Sequence, residues 1–307
     1  MIDDRLDVGP EVAAALRDGR PVVALESTLI SHGLPYPQNL EVARASEAAV
    51  RAAGAVPATV AVRDGRLLIG LDEGELKALA TAPEGSVRKA ARPSLAAALD
   101  AGGWAATTVS ATMIAARAAG IDVFATGGIG GVHRGGGTSF DISSDLEELA
   151  RTRMAVVCAG PKAILDVPAT LEYLETRGVP VVAIGQDELP GFYARTLGVA
   201  APSSVADLDS AVHLASVHLE LGLGSAILLC MPIPEADALA PDVTRAAIER
   251  AIADADRAGV AGPALTPWLL ARIAEVTEGA SVRSNTALIV NNARFAGQIA
   301  HGLASRR

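Results

Sequence analysis

Seven short runs of Val, Ile, Leu and Ala recur along this chain, apolar on both faces and separated by segments of helical period. A strand that is apolar at every position belongs in a sheet covered on both sides, and intervening helices supply the cover. The runs predict strands over 21–28, 58–62, 66–71, 121–126, 154–159, 179–185 and 225–231. Helices are expected over 39–53, 73–80, 94–101, 108–119, 145–151, 169–177, 205–221, 241–258, 267–278 and about 282–303. Asp64-Gly65 joins the second and third runs and suits the positive φ of a tight hairpin turn, so the sheet is mixed rather than wholly parallel. The expected fold is α/β, a three-layer α/β/α sandwich. No repeat or linker interrupts the 307 residues, and residues 1–307 read as a single domain.

Composition narrows the function. Half of the residues are apolar and only 3% are aromatic, so the core is aliphatic and disorder is excluded. A net charge of −9, with no basic stripe and no interleaved aromatics, argues against a nucleic-acid strand as partner. No apolar run approaches the roughly 18 residues that would span a bilayer. Cys158 and Cys230 lie inside apolar runs, as reduced thiols would, and the opening MIDDRLDVGPEV is acidic and polar. The expectation is a cytoplasmic chain without a membrane partner.

Of 26 basic residues only three are lysines: Lys77, Lys89 and Lys162. A chain that otherwise uses arginine keeps lysine most usefully where an amine must lose its proton and attack carbon. Lys162 follows Gly160-Pro161 after an apolar run, and proline suits the first turn of a helix. The expectation is therefore a lysine at a helix N-terminus, where desolvation and the dipole would lower its pKa. A solvated lysine that merely begins a helix is the other reading.

Three further segments can carry chemistry. Residues 127–137 hold seven glycines after a strand but match neither a P-loop nor a dinucleotide turn. The segment is read either as a backbone cradle for a phosphate or metal, or as a floppy surface loop. Asp141, Ser143, Ser144 and Asp145 follow. They offer hard oxygen donors and hydroxyls, or else a capping box in which Ser143 or Ser144 pairs with Glu147. Glu26 ends a buried strand, where a carboxylate is either paired in a salt bridge or used. His32 and His133 lie in or near these loops, as satisfied hydrogen-bonding residues or as ligand contacts.

These segments, taken together, resemble the pseudouridine-5'-phosphate glycosidases of the indigoidine synthase A-like family. The strings ALESTLISHGLPYPQNLEVA, ATTVSATMIAARAAGIDVFATGGIGGVHRG, TSFDISSDLEELA and VVCAGPKAILD carry the likeness, which runs from about residue 8 to 301. It implies reversible cleavage of the carbon–carbon bond joining uracil to ribose 5-phosphate. It also implies a lysine nucleophile, a glutamate acid/base, a divalent metal, usually Mn2+, and a homotrimer. By motif the nucleophile is Lys162, the acid/base Glu26 and the metal ligand Asp141. Ser143, Ser144, Asp145, Lys89, Val109 and Asn285 fall on substrate contacts, and His133 in the glycine loop joins them. A carbon leaving group has no lone pair to protonate, so an amine that opens the sugar and passes through an imine is a reasonable route.

Two departures bear on substrate. Pro161 and Ala163 flank the lysine where the family usually has Ala and Ser, and its basic Ser-Arg-Arg-Asp-Leu string becomes Ala91-Arg92-Pro93-Ser94-Leu95. Other readings are therefore kept: a relative acting on another C- or N-linked sugar phosphate, as in pigment biosynthesis, or a sugar-phosphate-binding protein without catalysis.

Overall fold

The computed structural model describes residues 2–260, 262 and 265–306. Eleven strands occur among them: β1 (Leu6–Val8), β2 (Val22–Leu25), β3 (Val56–Arg63), β4 (Arg66–Ile69), β5 (Arg88–Ala90), β6 (Trp104–Thr107), β7 (Val123–Ala125), β8 (Ala155–Cys158), β9 (Val181–Ile184), β10 (Ser203–Val205) and β11 (Ile227–Cys230). The helices that matter below are, in order, α1 (Pro10–Arg17), α2 (Gln38–Ala52), α3 (Glu73–Ala80), α4 (Leu95–Asp100), α5 (Val109–Ala118), α6 (Gly136–Ser139), α7 (Ser144–Leu149), α8 (Val167–Thr176), α9 (Leu208–Leu221), α10 (Pro241–Ala258), α11 (Leu265–Val276) and α12 (Ala280–Ala304).

The sheet is mixed, in the order β1-β4-β3-β2-β7-β8-β11-β9-β10, with β5 and β6 attached through β3. From the first half of β3 to β10 all neighbours are parallel. Beyond Thr59, β3 leaves β2 and pairs antiparallel with β4 on one edge and β6 on the other. The hairpin expected at Asp64-Gly65 is this β3–β4 turn, with positive φ at both residues.

Side chains alternate across the sheet, so each strand feeds two cores. Val22, Ala24, Phe124, Val156, Cys158, Leu228 and Cys230 face α1, α4, α5, α7 and α8. Val23, Leu25, Val123, Ala125, Val157 and Leu229 face α2, α9 and α12. This is the expected α/β/α sandwich. A third cluster, built from α10, α11 and part of α12, packs Phe192 and residues 163–165 over the carboxyl ends of the strands.

Several local expectations change. Strands β1, β5, β6 and β10 were not marked by apolar runs, because LDV, RKA and SSV carry polar residues and WAAT follows Gly102-Gly103 without a Val/Ile run. Val205 ends β10 instead of opening a helix; α9 begins at Leu208, with Asp207 accepting the Ser210 N–H as its cap. The capping box on Glu147 does not form. Ser143 caps α7 by accepting from Asp145 N, while Glu147 bonds Tyr173, Arg177 and Arg151. Lys162 is not at a helix N-terminus. Pro161 forms a β-bridge with Ile129, Lys162 N donates to Ile129 O at 3.1 Å, and α8 starts only at Val167, capped by Asp166.

Candidate active site

The sheet brings its carboxyl ends together at one cleft, the position where parallel α/β sheets bind ligands. Adjacent parallel strands β2 and β7 pair Leu25 with Ala125, so the next residues, Glu26 and Thr126, stand side by side. Thr126 Oγ1 donates to one Glu26 oxygen and Thr28 Oγ1 to the other. Among the described residues Glu26 has no salt-bridge partner: two hydroxyls hold its carboxylate at the cleft wall. Asn292 of α12 supports this corner, donating from Nδ2 to Thr126 O at 2.9 Å and Gly127 O at 3.3 Å.

The glycine segment continues the parallel pairing of β7 with β8. Ala159 N donates to Gly127 O, Ile129 N to Gly160 O and Lys162 N to Ile129 O, so the glycine and lysine loops run together as one ladder. Close packing explains the glycines. A Cβ on Gly128 would sit 2.6 Å from the Phe192 ring and 2.9 Å from Gly160 O; on Gly130, 2.2 Å from Ser143 Oγ; on Gly131, 2.5 Å from Thr170 Oγ1; on Gly136, 2.7 Å from Val132. Residues 128–131 and 136 are thus threaded between their neighbours rather than floppy, Gly135 and Gly137 stay open, and Gly127, Gly128 and Gly130 line the cleft.

Asp145 is buried, and both its oxygens are used. Ser110 N donates to Oδ1 at 3.0 Å and Gly130 N to Oδ2 at 2.9 Å, which ties α5 to the glycine loop. Ser144 Oγ lies 3.3 Å from Ser110 Oγ, which in turn is 3.1 Å from Thr108 Oγ1. Val109 is buried at the first turn of α5, so it can meet a ligand only through its backbone, at the positive end of the helix.

Two chambers make up the cleft. The less polar one is walled by Leu25, Leu29, Ala125, Phe192, Leu270 and Ile289, with His32, Ser46, Thr59, Thr126 and Asn285 as polar residues among them. The polar one holds Thr108, Val109, His133, Asp141 and the run Ser143-Ser144-Asp145. Glu26, Thr28, Lys89, Lys162 and Thr266 line both and mark the junction. The candidate site residues Glu26, His32, Lys89, Val109, His133, Asp141, Ser143, Ser144, Asp145, Lys162 and Asn285 thus all border this cleft, whereas Lys77 lies away from it on α3. Thr126, Ser110 and Asn292 were missed because their partners are distant in sequence; Thr28, which bonds Glu26 two residues before it, was missed although that spacing was visible in the sequence.

Burial, and after it the charge of Lys162, pull Lys89 below the ordinary lysine value, with Glu26 and Asp145 opposing. Burial and the charge of Lys89 likewise push His32 below the ordinary histidine value, against a backbone hydrogen bond at Val87.

Of the three carboxylates lining this chamber, Glu26 and Asp145 already hold protein donors, which leaves Asp141 for a divalent cation, with His133 and the hydroxyls of Ser143 and Ser144 in the same lining. No group of three His, Cys, Asp or Glu side chains converges among the described residues. So thin a donor set cannot cage a metal. It fits a hard cation that keeps water and takes phosphate oxygens from its ligand.

An amine and a carboxylate meeting between a less polar and a polar chamber, at the carboxyl ends of parallel strands, define an α/β enzyme whose substrate has one less polar and one polar end. Comparison with known proteins narrows the class. The family described as indigoidine synthase A like protein matches residues 11–302, and the chain belongs to it. A pseudouridine-5'-phosphate glycosidase of Paracoccus denitrificans is 54% identical over 97% of this chain and 98% of its own. One from a Jannaschia species is 56% identical over 97% and 98%. Among solved structures, the prealnumycin C-glycosynthase AlnA in complex with ribulose 5-phosphate superposes with a TM-score of 0.89 at 40% identity, covering 98% of this chain and 97% of that one. An indigoidine synthase A-like protein of Thermotoga maritima gives 0.86 at 32% identity, covering 97% and 96%. No described helix is long and apolar enough to cross a membrane.

Proposed function

We propose that this chain cleaves pseudouridine 5'-phosphate to uracil and ribose 5-phosphate, reversibly and in the cytoplasm. The observation that carries the reading is the junction: Glu26 and Lys162 stand where a less polar chamber suited to a flat base meets a polar chamber suited to a sugar phosphate. The relatives named above support it with their own activity.

The chemistry follows from the parts. Lys162 Nζ, as the free amine, bonds to C1', and the C1'–O4' bond breaks with its electron pair going to O4', which takes a proton. The new secondary ammonium gives up a proton, its nitrogen lone pair then forms a C1'=N bond as the C1'–C5 bond breaks, and the pair left on C5 takes a proton. Glu26, held by Thr28 and Thr126, is the group that moves these protons. Water hydrolyses the imine, which releases ribose 5-phosphate and restores the lysine. The first turn of α5 with Ser143 and Ser144 would hold the phosphate, and Lys89 adds a positive charge at the junction. A divalent cation on Asp141, Mn2+ by family likeness, would neutralise phosphate charge there. The working assembly is proposed to be a homotrimer.

Incubation with pseudouridine 5'-phosphate and Mn2+ should release free uracil; folded protein that releases none refutes the substrate. Borohydride added during turnover should trap ribose phosphate on Lys162, and Lys162→Arg should be neither labelled nor active. Label on Lys89, whose ammonium form burial disfavours, would move the nucleophile there. A second reading draws on the 40% identity to a C-glycosynthase: the same imine joined to a different carbon nucleophile. Arg92 gives it some weight, because it is drawn away to the buried Glu148. A panel of sugar phosphates and acceptors separates the two.

A further inference from the structure

On one edge of β3 two strands meet end to end. β2 pairs in parallel with residues 56–59 and β6 in antiparallel with residues 61–63, so their carboxyl ends converge on Val60. Each chain then turns out of the sheet into the cleft wall, β2 into Glu26 and Thr28, β6 into Thr108 and the first turn of α5. A bare gap between two buried strand ends would leave backbone groups unpaired. Ser27 and Thr107, both wholly buried, close it. Ser27 N donates to Thr107 O at 3.3 Å, and Thr107 N donates to Ser27 Oγ at 2.9 Å. Thr107 Oγ1 donates to Val60 O at 2.7 Å and accepts from Thr112 Oγ1 at 2.9 Å. A hydroxyl has one proton, so the 3.3 Å contact between the Ser27 and Thr107 hydroxyls is donated by Ser27.

This joint has part of the site on each side. Ser27 lies between Glu26 and Thr28, which holds the Glu26 carboxylate. Thr107 precedes the first turn of α5, proposed above to hold the phosphate. We propose that Ser27 and Thr107 are positioning residues, which fix the spacing between the acid/base carboxylate and the phosphate-holding turn. A substrate anchored by its phosphate then presents O4' and C5 to Glu26, and binding energy from the remote end serves orientation at the reacting atoms. This rests on the function proposed above. Wholly buried, neither side chain touches substrate; both act through Glu26 and α5.

The test compares wild type with Ser27→Ala, Thr107→Val and Thr107→Ser. It reads kcat and KM on pseudouridine 5'-phosphate, calorimetric affinity for ribose 5-phosphate, and melting temperature. Ser27→Ala and Thr107→Val should each lose about 10- to 100-fold in kcat, the scale of a 1 Å misplacement. Affinity for ribose 5-phosphate should stay within about threefold, because the phosphate turn itself is intact. Thr107→Ser keeps the hydroxyl and should recover most of the rate. Thr112→Val removes only the donor to Thr107 Oγ1; it should show the same pattern at about 3- to 10-fold, and it carries the test if a stronger variant fails to fold. Folded variants with unchanged kcat overturn the assignment. So does a fall in ribose 5-phosphate affinity as large as the fall in kcat, which a merely structural joint would give, or a Thr107→Ser no better than Thr107→Val. A folded wild type that releases no uracil overturns the proposed function itself, and the assignment with it.

Discussion

Replacing Gly130 with Ala tests whether the glycine loop is shaped by close packing. The new methyl would lie 2.2 Å from Ser143 Oγ, 2.6 Å from Ser143 Cβ and 2.9 Å from Asp145 Oδ2, where ordinary contact begins near 3.4 Å. A rotamer change can move the hydroxyl but not the Cβ, so backbone must give by roughly 1 Å, a scale at which packed interiors resist. The move pulls Gly130 N from the buried Asp145 carboxylate. Losing a hydrogen bond to a charged acceptor costs about 1.5–3 kcal/mol, and overpacking adds about 1–3. A total of about 2.5–6 kcal/mol lowers the melting temperature by roughly 4–9 °C in a chain of this size. Misplacement on this scale should lower turnover by about 100-fold. Gly137→Ala is the control. It sits in the same loop with nothing within 4 Å of its added Cβ, and should leave both quantities near wild type. Thermal melts followed by circular dichroism, with initial rates of uracil release, measure both effects. If Gly130→Ala melts and turns over like wild type, or Gly137→Ala is equally damaging, the packing argument is wrong and an anion cradle is the better account.

Thr126→Val keeps the shape of the side chain and removes one of the two donors that hold Glu26; kcat should fall about 10- to 100-fold with KM little changed, and a pure KM effect would contradict the positioning role. Glu147 is held down at about 2, first by Arg177 and then by Tyr173. Its folded value lies below its unfolded one, so the stability it adds is complete above about pH 4.5 and is lost as pH falls toward 2. Melting curves of wild type and Glu147→Gln should therefore differ at pH 7 by the equivalent of about 1 kcal/mol and converge in acid; a gap that widens in acid would reverse the sign.

The sandwich was legible because its parallel strands are apolar on both faces, as in MAVVCA and AILLC, whatever their neighbours. The short strands were not. LDV, RKA and SSV have no pattern of their own and exist because β4, β6 and β9 offer edges to pair with. Pro161 misled for a related reason. Its fixed φ suits a first helical turn, but the glycine loop captures the segment first through Ile129. At the site, Glu26 could be picked out because charge at the end of a buried strand is costly, Lys162 because lysine is rare in this chain, and Asp141 and Asp145 as oxygen donors following the glycine segment. Thr126, Ser110 and Asn292 are ordinary residues in ordinary places. Only the register of β2 against β7, and the passage of α12 across the strand ends, gives them a function.

Charge at the cleft leads to one further expectation. Glu26, Asp141 and Asp145 face Lys89 and Lys162, and the nucleophilic role requires Lys162 to give up its proton. A sugar phosphate adds nearly two more negative charges at neutral pH. The polar chamber would then hold a strong surplus of negative charge around the first turn of α5, which one helix end cannot offset. A divalent cation on Asp141 would offset it, and each ligand would then favour the other. Coupling of this kind is reciprocal, so ribose 5-phosphate must tighten Mn2+ by the same factor as Mn2+ tightens ribose 5-phosphate, about 5- to 150-fold. Titration calorimetry of each ligand with and without the other measures both factors, with no turnover needed. Asp141→Asn should abolish the coupling while leaving the melting temperature near wild type. Equal Mn2+ affinity in the presence and absence of saturating ribose 5-phosphate would mean that the cation and the phosphate do not share this chamber.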